Sequence, residues 1–243
     1  MTPLPIGGTL REAAEIFLRN GVWLVIEFAA AMVAVTTAYV VLFPGQATFL
    51  FSGGQVTNAT FLFINPYSVL SSLIYTAVST SALLRLWPRV TGQALPGPSA
   101  AGWLAILGTA LAVDHVLTFS IFFFIVPVII ISALTCIILP LQVIERQGWQ
   151  ALGLSLRETS PHLLPLVGIW AALLLPWLIL LFTAGPDRSE VADATLTDLW
   201  LRELAADLYA PLFIAFSLCL ITAIYRRLRQ PTPDSKDLDD IFR

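Results

Sequence analysis

Charged residues are scarce in this 243-residue sequence, where they make up 12%, about half the share of a typical soluble domain. Lysine occurs once, at Lys236, so arginine carries almost all of the positive charge. Cys136 and Cys219 lie inside apolar stretches, which indicates small buried side chains and no disulfide. With 57% hydrophobic residues and a mean hydropathy of +0.82, the composition excludes an ordinary soluble domain and predicts an all-α, polytopic membrane protein.

Recognisable catalytic motifs are also lacking. The sequence has no HExxH pair for zinc, no GK[ST] phosphate loop and no GxSxG nucleophile turn. These absences predict a protein that is not an enzyme, needs no metal or cofactor and has no nucleic-acid partner.

Six apolar stretches are long enough to cross a hydrocarbon core of about 30 Å. We place the spans at about 21–43, 66–87, 101–119, 123–144, 161–182 and 208–228. Asn65-Pro66 and Ser160-Pro161 each predict an N-cap residue followed by proline at the first helical position, and Ser99 is a candidate cap for the third span. Residues 230–243 are polar and are expected to form a disordered cytoplasmic tail.

Two segments on the cytoplasmic side are predicted to be amphipathic helices on the membrane surface. The first is residues 1–20, where Thr9 and Glu12 would form a capping box and Arg11 and Glu15 a surface ion pair. The second is residues 146–158, which lie between two spans.

The second surface helix has an apolar row and a polar row. Trp149, Leu152 and Leu156 recur at helical spacing, and Arg146 and Arg157 lie on the polar row. Arg146, Arg157 and Trp149 are therefore candidate contacts to lipid headgroups. An ordinary polar loop is the alternative interpretation.

Two further segments are expected on the outer side. Residues 44–66 contain the motif ATFLF twice, at 47–51 and 59–63, on either side of a Gly-Gly pair. This duplication predicts a hairpin or a re-entrant loop, with two short helical turns as the alternative. Residues 184–207 are acidic and predict a third surface helix.

Basic residues set the predicted orientation, because cytoplasmic loops carry an excess of lysine and arginine. Only Arg188 and Arg202 fall on the outer side. The other eleven fall on the opposite side: Arg11, Arg19, Arg85, Arg89, Arg146, Arg157, Arg226, Arg227, Arg229, Lys236 and Arg243. The distribution predicts a multi-pass membrane protein with both termini in the cytoplasm.

Ionisable residues inside the spans are the candidate polar site, since each costs about 2.5–3.5 kcal/mol at a helix centre unless paired. Arg85 is placed to reach Glu27 by extending its side chain toward the interface, which favours a structural ion pair. Asp114 lies deeper, at a height similar to that of Thr36 and Tyr39. It is either held by those hydroxyl groups or exposed to a water-filled path.

The segment 140–170, PLQVIERQGWQALGLSLRETSPHLLPLVGIW, resembles a bacterial family of six-span membrane proteins. That family is related to the membrane domain attached to some glycerophosphodiester phosphodiesterases. The segments LREAAEIFLRNGVWLVI and ITAIYRRLR fit the same pattern. The resemblance implies the six-span fold and a location in the bacterial inner membrane. It implies no phosphodiesterase activity, since neither His115 nor His162 precedes the Arg-Gly expected at such an active site.

Two functional hypotheses follow from these residues. The first is a non-enzymatic accessory or scaffold module that engages membrane lipids or another protein through its surface helices. The alternative is a small transporter or channel, in which Asp114 and Glu27 would line a polar path.

Overall fold

A computed structural model describes residues 4–43, 66–121, 125–183 and 209–229, together with the isolated positions 195, 197, 200 and 201. Within these ranges the chain is helical and has no strand, and six helical segments are long and apolar enough to cross a membrane. The predicted fold class is therefore confirmed. The ATFLF duplication, the polar tail and nearly all of the acidic segment 184–207 lie outside the described residues.

Eight α-helices make up the described part of the chain. They are α1 (Ile6–Leu42), α2 (Pro66–Thr91), α3 (Ala100–Ile121), α4 (Ile125–Thr135), α5 (Ile138–Val143), α6 (Ala151–Thr159), α7 (Leu163–Thr183) and α8 (Ala210–Arg229). Short 3₁₀ turns, Gly148–Gln150 and Ser160–His162, flank α6 and join it to its neighbours.

Local signals account for several helix boundaries. Helix α2 begins at Pro66, as predicted, and Ser99 Oγ accepts a hydrogen bond from the Gly102 N–H at 3.2 Å, which confirms it as a cap for α3. The predicted cap at Ser160 is wrong. Its side chain donates to the Leu156 carbonyl, so the helical path continues through the 3₁₀ turn into α7.

Helix α1 is one continuous helix of 37 residues, and the expected boundary between a surface helix and a span near residue 20 is absent. The predicted capping box is also wrong. Thr9 lies inside the helix and donates to the Pro5 carbonyl at 2.9 Å, while Glu12 bonds to the other end of the chain. The Arg11–Glu15 pair is present at 3.0 Å.

The first and last helices pack together in antiparallel orientation. Arg226 and Arg227, near the end of α8, bond the Glu12 carboxylate at 2.6 and 2.8 Å, and Phe17 meets Phe216 edge to face. We call this end of the bundle, where α1 begins and α8 ends, the arginine end. Buried apolar side chains such as Leu24, Phe28 and Leu220 fill the core between the helices.

The fourth span is broken. Helix α4 ends at Thr135, a turn occupies Cys136 and Ile137, and α5 follows. The break lies one turn before Pro140, which lacks an N–H and whose ring clashes with the carbonyl four residues earlier. Ser155 of α6 donates to the Leu134 carbonyl at 2.7 Å, so a side chain satisfies a backbone group at the interruption. Thr159 Oγ1 lies 3.1 Å from the same carbonyl and closer, at 2.7 Å, to the Ser155 carbonyl.

Helix α6 has a buried face and an exposed face. Ala151, Ser155 and Thr159 are fully buried against the broken span. The predicted apolar row faces away from the bundle, and its side chains are partly or largely exposed. Arg146 is not part of the helix, contrary to the prediction, because it adopts a positive φ of 59° in the turn that precedes it.

Candidate functional site: a hydroxyl-lined cavity in the bundle

A cavity of about 540 Å³ lies among α2, α3, α4, α5, α7 and α8. Asp114 of α3 and Gln142 of α5 both line it. Asp114 lies about 20 Å along α3 from Ala100, at the helical rise of 1.5 Å per residue, whereas Gln142 reaches the first turns of that helix. The cavity therefore extends along the bundle.

Ten of the described side chains that line the cavity bear a hydroxyl group. They are Ser71, Ser72, Tyr75, Thr76 and Ser79 of α2, Thr109 and Thr118 of α3, Ser132 and Thr135 of α4, and Ser217 of α8. The five on α2 belong to the stretch 71–81, SSLIYTAVSTS, whose hydroxyl content was visible in the sequence. These five were not predicted as site residues, because hydroxyl groups were considered only as partners of Asp114.

Asp114 is partly buried and has one hydrogen-bond partner in the described part of the chain. Ser68, in the first turn of α2, donates to its carboxylate over a long distance of 3.5 Å. The expected partners, Thr36 and Tyr39, do not hold it. Thr36 Oγ1 is buried without a hydrogen bond to a described residue, and the Tyr39 ring packs on Tyr67, with 5.1 Å between centroids.

Gln142 lines the cavity toward the arginine end, and hydrogen bonds hold its side chain in place. Its amide nitrogen lies 3.2 Å from the Ala105 carbonyl, 2.9 Å from Thr109 Oγ1 and 3.2 Å from the Gly148 carbonyl. Two of these partners are carbonyl oxygens, which only accept, so the nitrogen must face them. The buried amide thus joins α3, α5 and the turn before α6.

Glu27 and Arg85 form the ion pair that the sequence predicted, away from the cavity. The two terminal guanidinium nitrogens of Arg85, Nη1 and Nη2, bond the Glu27 carboxylate, and the longer contact is 2.7 Å. Arg85 and Arg89 also lie over the Trp23 ring, 5.4 and 4.6 Å from its centroid. The polar residues proposed from sequence therefore do not form one site, and Glu27 is separated from Asp114.

The three candidate lipid contacts have different surroundings. Arg157 is exposed on α6, and Trp149 is 58% exposed with one part of its ring against Gly108. Arg146 is exposed but donates to the Pro96 carbonyl at 3.3 Å, which ties its turn to the loop before α3. Of the three, Trp149 and Arg157 belong to the surface of the helical segment.

Among the described residues, the cavity wall carries one carboxylate, and the Cys136 thiol is its other metal ligand of the usual kinds. Across the described ranges, no three His, Cys, Asp or Glu side chains are close enough together to hold a metal ion. A comparison with family models, curated proteins and solved structures finds no match to this chain. The cavity is therefore the feature that bears most directly on function.

Proposed function

We propose that this chain is a non-enzymatic membrane protein that binds a small solute inside its helix bundle, as a small transporter does. The carrying observation is a cavity of about 540 Å³ that places one carboxyl and ten hydroxyl groups among apolar helices. Its size falls in the range of about 300–1,000 Å³ that is usual for small-molecule sites.

Energetics supports a binding role over a purely structural one. An ionisable group inside a membrane bundle, such as Asp114, is costly unless it is paired and by default marks a functional site. A buried hydroxyl group without a partner is also costly. Ser217 illustrates the cost, because its hydroxyl is buried on the cavity wall without a hydrogen-bond partner among the described residues. A bound solute or water would supply that partner.

The broken fourth span supports movement of the solute. Transporter sites are commonly formed by discontinuous helices near the middle of the membrane. Here Thr135 and Cys136, at the interruption between α4 and α5, both line the cavity. An interrupted helix can rearrange locally without breaking a continuous ladder of backbone hydrogen bonds.

Ligand-induced thermal stabilisation tests this proposal. Wild type and Ser217→Leu, whose larger side chain would fill part of the cavity, are purified and screened with simple amines, alcohols, carboxylates and zwitterions. We expect at least one class to raise the Tm of wild type and to have a much smaller effect on Ser217→Leu. If no class of solute raises the Tm of wild type more than that of Ser217→Leu, the cavity does not bind solutes.

A vesicle experiment then tests transport. The stabilising solute is loaded into vesicles that contain the protein, and exchange with labelled external solute is followed. Exchange above that of empty vesicles, reduced in Ser217→Leu, is the expected result. Binding without exchange would limit the function to solute binding.

A lipid-interacting accessory role is the second candidate, and the exposed apolar row along α6 and the 3₁₀ turn before it favours it. Trp149, Leu152 and Leu156 are 58%, 37% and 38% exposed, and Arg157 lies beside them. We propose that this face meets anionic lipid, with Arg157 near the headgroups. Arg157→Glu should then lower the anionic lipid retained on purification, whereas Arg157→Lys, which keeps the charge at the same position, serves as the control.

The cell location and kinship are proposed on sequence grounds. The excess of basic residues in one set of loops supports a bacterial inner membrane protein with both termini in the cytoplasm. The segments 140–170 and 221–229 support a relation to the membrane domains of glycerophosphodiester phosphodiesterases.

A further inference from the structure

We infer that the cavity selects an organic monocation, a protonated amine with an apolar body, and this inference rests on the proposed solute-binding function. The first argument is charge. Of the described side chains that line the cavity, Asp114 is the one carboxylic acid, and lysine, arginine and histidine do not occur. An anionic solute would meet a carboxylate and no compensating cation.

The second argument is the direction of the hydrogen bonds. Thr135 donates its hydroxyl hydrogen to the Ile131 carbonyl at 2.7 Å, and Ser71 donates to the Ser68 carbonyl at 2.9 Å. A hydroxyl has a single hydrogen to donate, so these oxygens can only accept from a ligand. The same reasoning applies to Gln142, whose amide nitrogen bonds other parts of the protein and leaves the amide oxygen as its remaining polar atom.

Acceptors at these three positions favour a donor-rich ligand. A primary ammonium group carries three donors and no acceptor. Charge-assisted hydrogen bonds to a carboxylate are about twice as strong as neutral ones. Asp114 has capacity for such a bond, because its one described partner, Ser68, lies as far as 3.5 Å away.

The rest of the wall suits an apolar body. Ile106, Val113, Leu117, Leu139, Leu174 and Ile221 line the cavity together with the aromatic rings of Trp170 and Phe213. Such side chains would cover a short alkyl or aryl group, at about 25 cal/mol per Å² of apolar surface removed from water. A fully hydrated inorganic cation would gain nothing from them.

Three probes of nearly equal size differ mainly in their polar head group, so they show its effect on binding: hexylamine, hexanol and hexanoate. Binding is measured by titration calorimetry on purified protein in lipid nanodiscs, with empty nanodiscs subtracted to remove partition into lipid. We expect saturable binding of protonated hexylamine, binding of hexanol at least about tenfold weaker, and no measurable binding of hexanoate.

Asp114→Asn is the decisive variant, because the amide keeps the shape of the side chain and removes its charge. We expect hexylamine affinity to fall about tenfold or more, to the level of hexanol, while hexanol affinity is unchanged. Glu15→Gln removes the same charge at an exposed position of α1 and should leave all three affinities unchanged. Ser217→Leu, which keeps the charge of Asp114 and fills part of the cavity, should weaken hexylamine and hexanol together.

The outcomes separate this inference from the proposed function. If hexanol or hexanoate binds as tightly as hexylamine, or if Asp114→Asn leaves the hexylamine affinity unchanged, the choice of an amine is wrong while solute binding stands. If no probe shows saturable binding and the broader screen also fails, both are wrong. Should Asp114→Asn not fold, equal loss of the two ligands in Ser217→Leu with a preserved preference for hexylamine would still support the inference.

Discussion

Arg229 holds the carboxylate of Glu145 with two nitrogens, Nε at 2.6 Å and Nη2 at 2.9 Å. The same guanidinium reaches Glu158 at 3.0 Å, and the Tyr225 hydroxyl donates to Glu145 at 2.7 Å. The last turn of α8 is thereby joined to the segment after the broken fourth span and to α6. These contacts close the arginine end of the bundle on one side, as the bonds to Glu12 do on the other.

Replacing Arg229 should loosen that closure. We expect Arg229→Met to lower the free energy of unfolding in detergent by about 1 kcal/mol, because two carboxylates lose a shared partner that is only partly exposed. Arg11→Met is the control, since Arg11 and Glu15 form an exposed pair along one helix worth about 0.3 kcal/mol. Equal effects of the two substitutions would show that the network adds nothing.

The Glu27–Arg85 pair gives a second prediction. Glu27→Gln leaves the guanidinium of Arg85 without its acidic partner on α1 and should cost about 1 kcal/mol. Arg85→Gln should cost a similar amount. In the double variant the total loss should be smaller than the sum of the two, as a double-mutant cycle of unfolding free energies would reveal. Strict additivity would argue against a stabilising pair.

The interruption of the fourth span gives the third prediction. Ser155→Ala removes the closest side-chain donor to the Leu134 carbonyl and should destabilise the protein by about 1–3 kcal/mol. Ser160→Ala is the matched control, because that hydroxyl is exposed and bonds only the carbonyl one turn earlier. A thermal melt of the three proteins measures the difference, and similar curves would contradict the proposed role.

The fourth prediction concerns orientation. In a background with Cys136 and Cys219 replaced by alanine, a cysteine placed at Gln150 should react with a membrane-impermeant reagent only after cells are permeabilised. Gln93→Cys, in the loop between α2 and α3, should behave in the same way, because both exposed positions lie toward the arginine end. Labelling of either cysteine in intact cells would reverse the predicted orientation.

Local signals explain what the sequence made predictable. The length of the apolar stretches, Pro66 at the start of α2 and the cap at Ser99 are each encoded within a few residues. The Glu27–Arg85 pair could also be predicted from the sequence. A charged residue inside a span needs a partner of opposite charge, and few such residues were available at that height.

The candidate site was harder to predict from the sequence, because it depends on which helices are neighbours. Asp114 meets Ser68, 46 residues earlier in the chain, and the sequence suggested Thr36 or Tyr39 because only height in the membrane could be estimated. The break at Cys136 and Ile137 was likewise placed by packing. Pro140 permits it, but the hydroxyl group that stabilises it comes from α6.

The pairing of α1 with α8 has a consequence for how the protein is made. Glu12 and Arg226 are 214 positions apart in the chain, so at about 5–20 residues per second the ribosome needs roughly 10–40 s to supply the second after the first. During that time the inserted first helix has no final neighbour along the face that α8 covers. Until the last span arrives, lipid, a chaperone or one of the helices made before α8 must cover this face. Chains that stop short of α8 should be recognised and degraded.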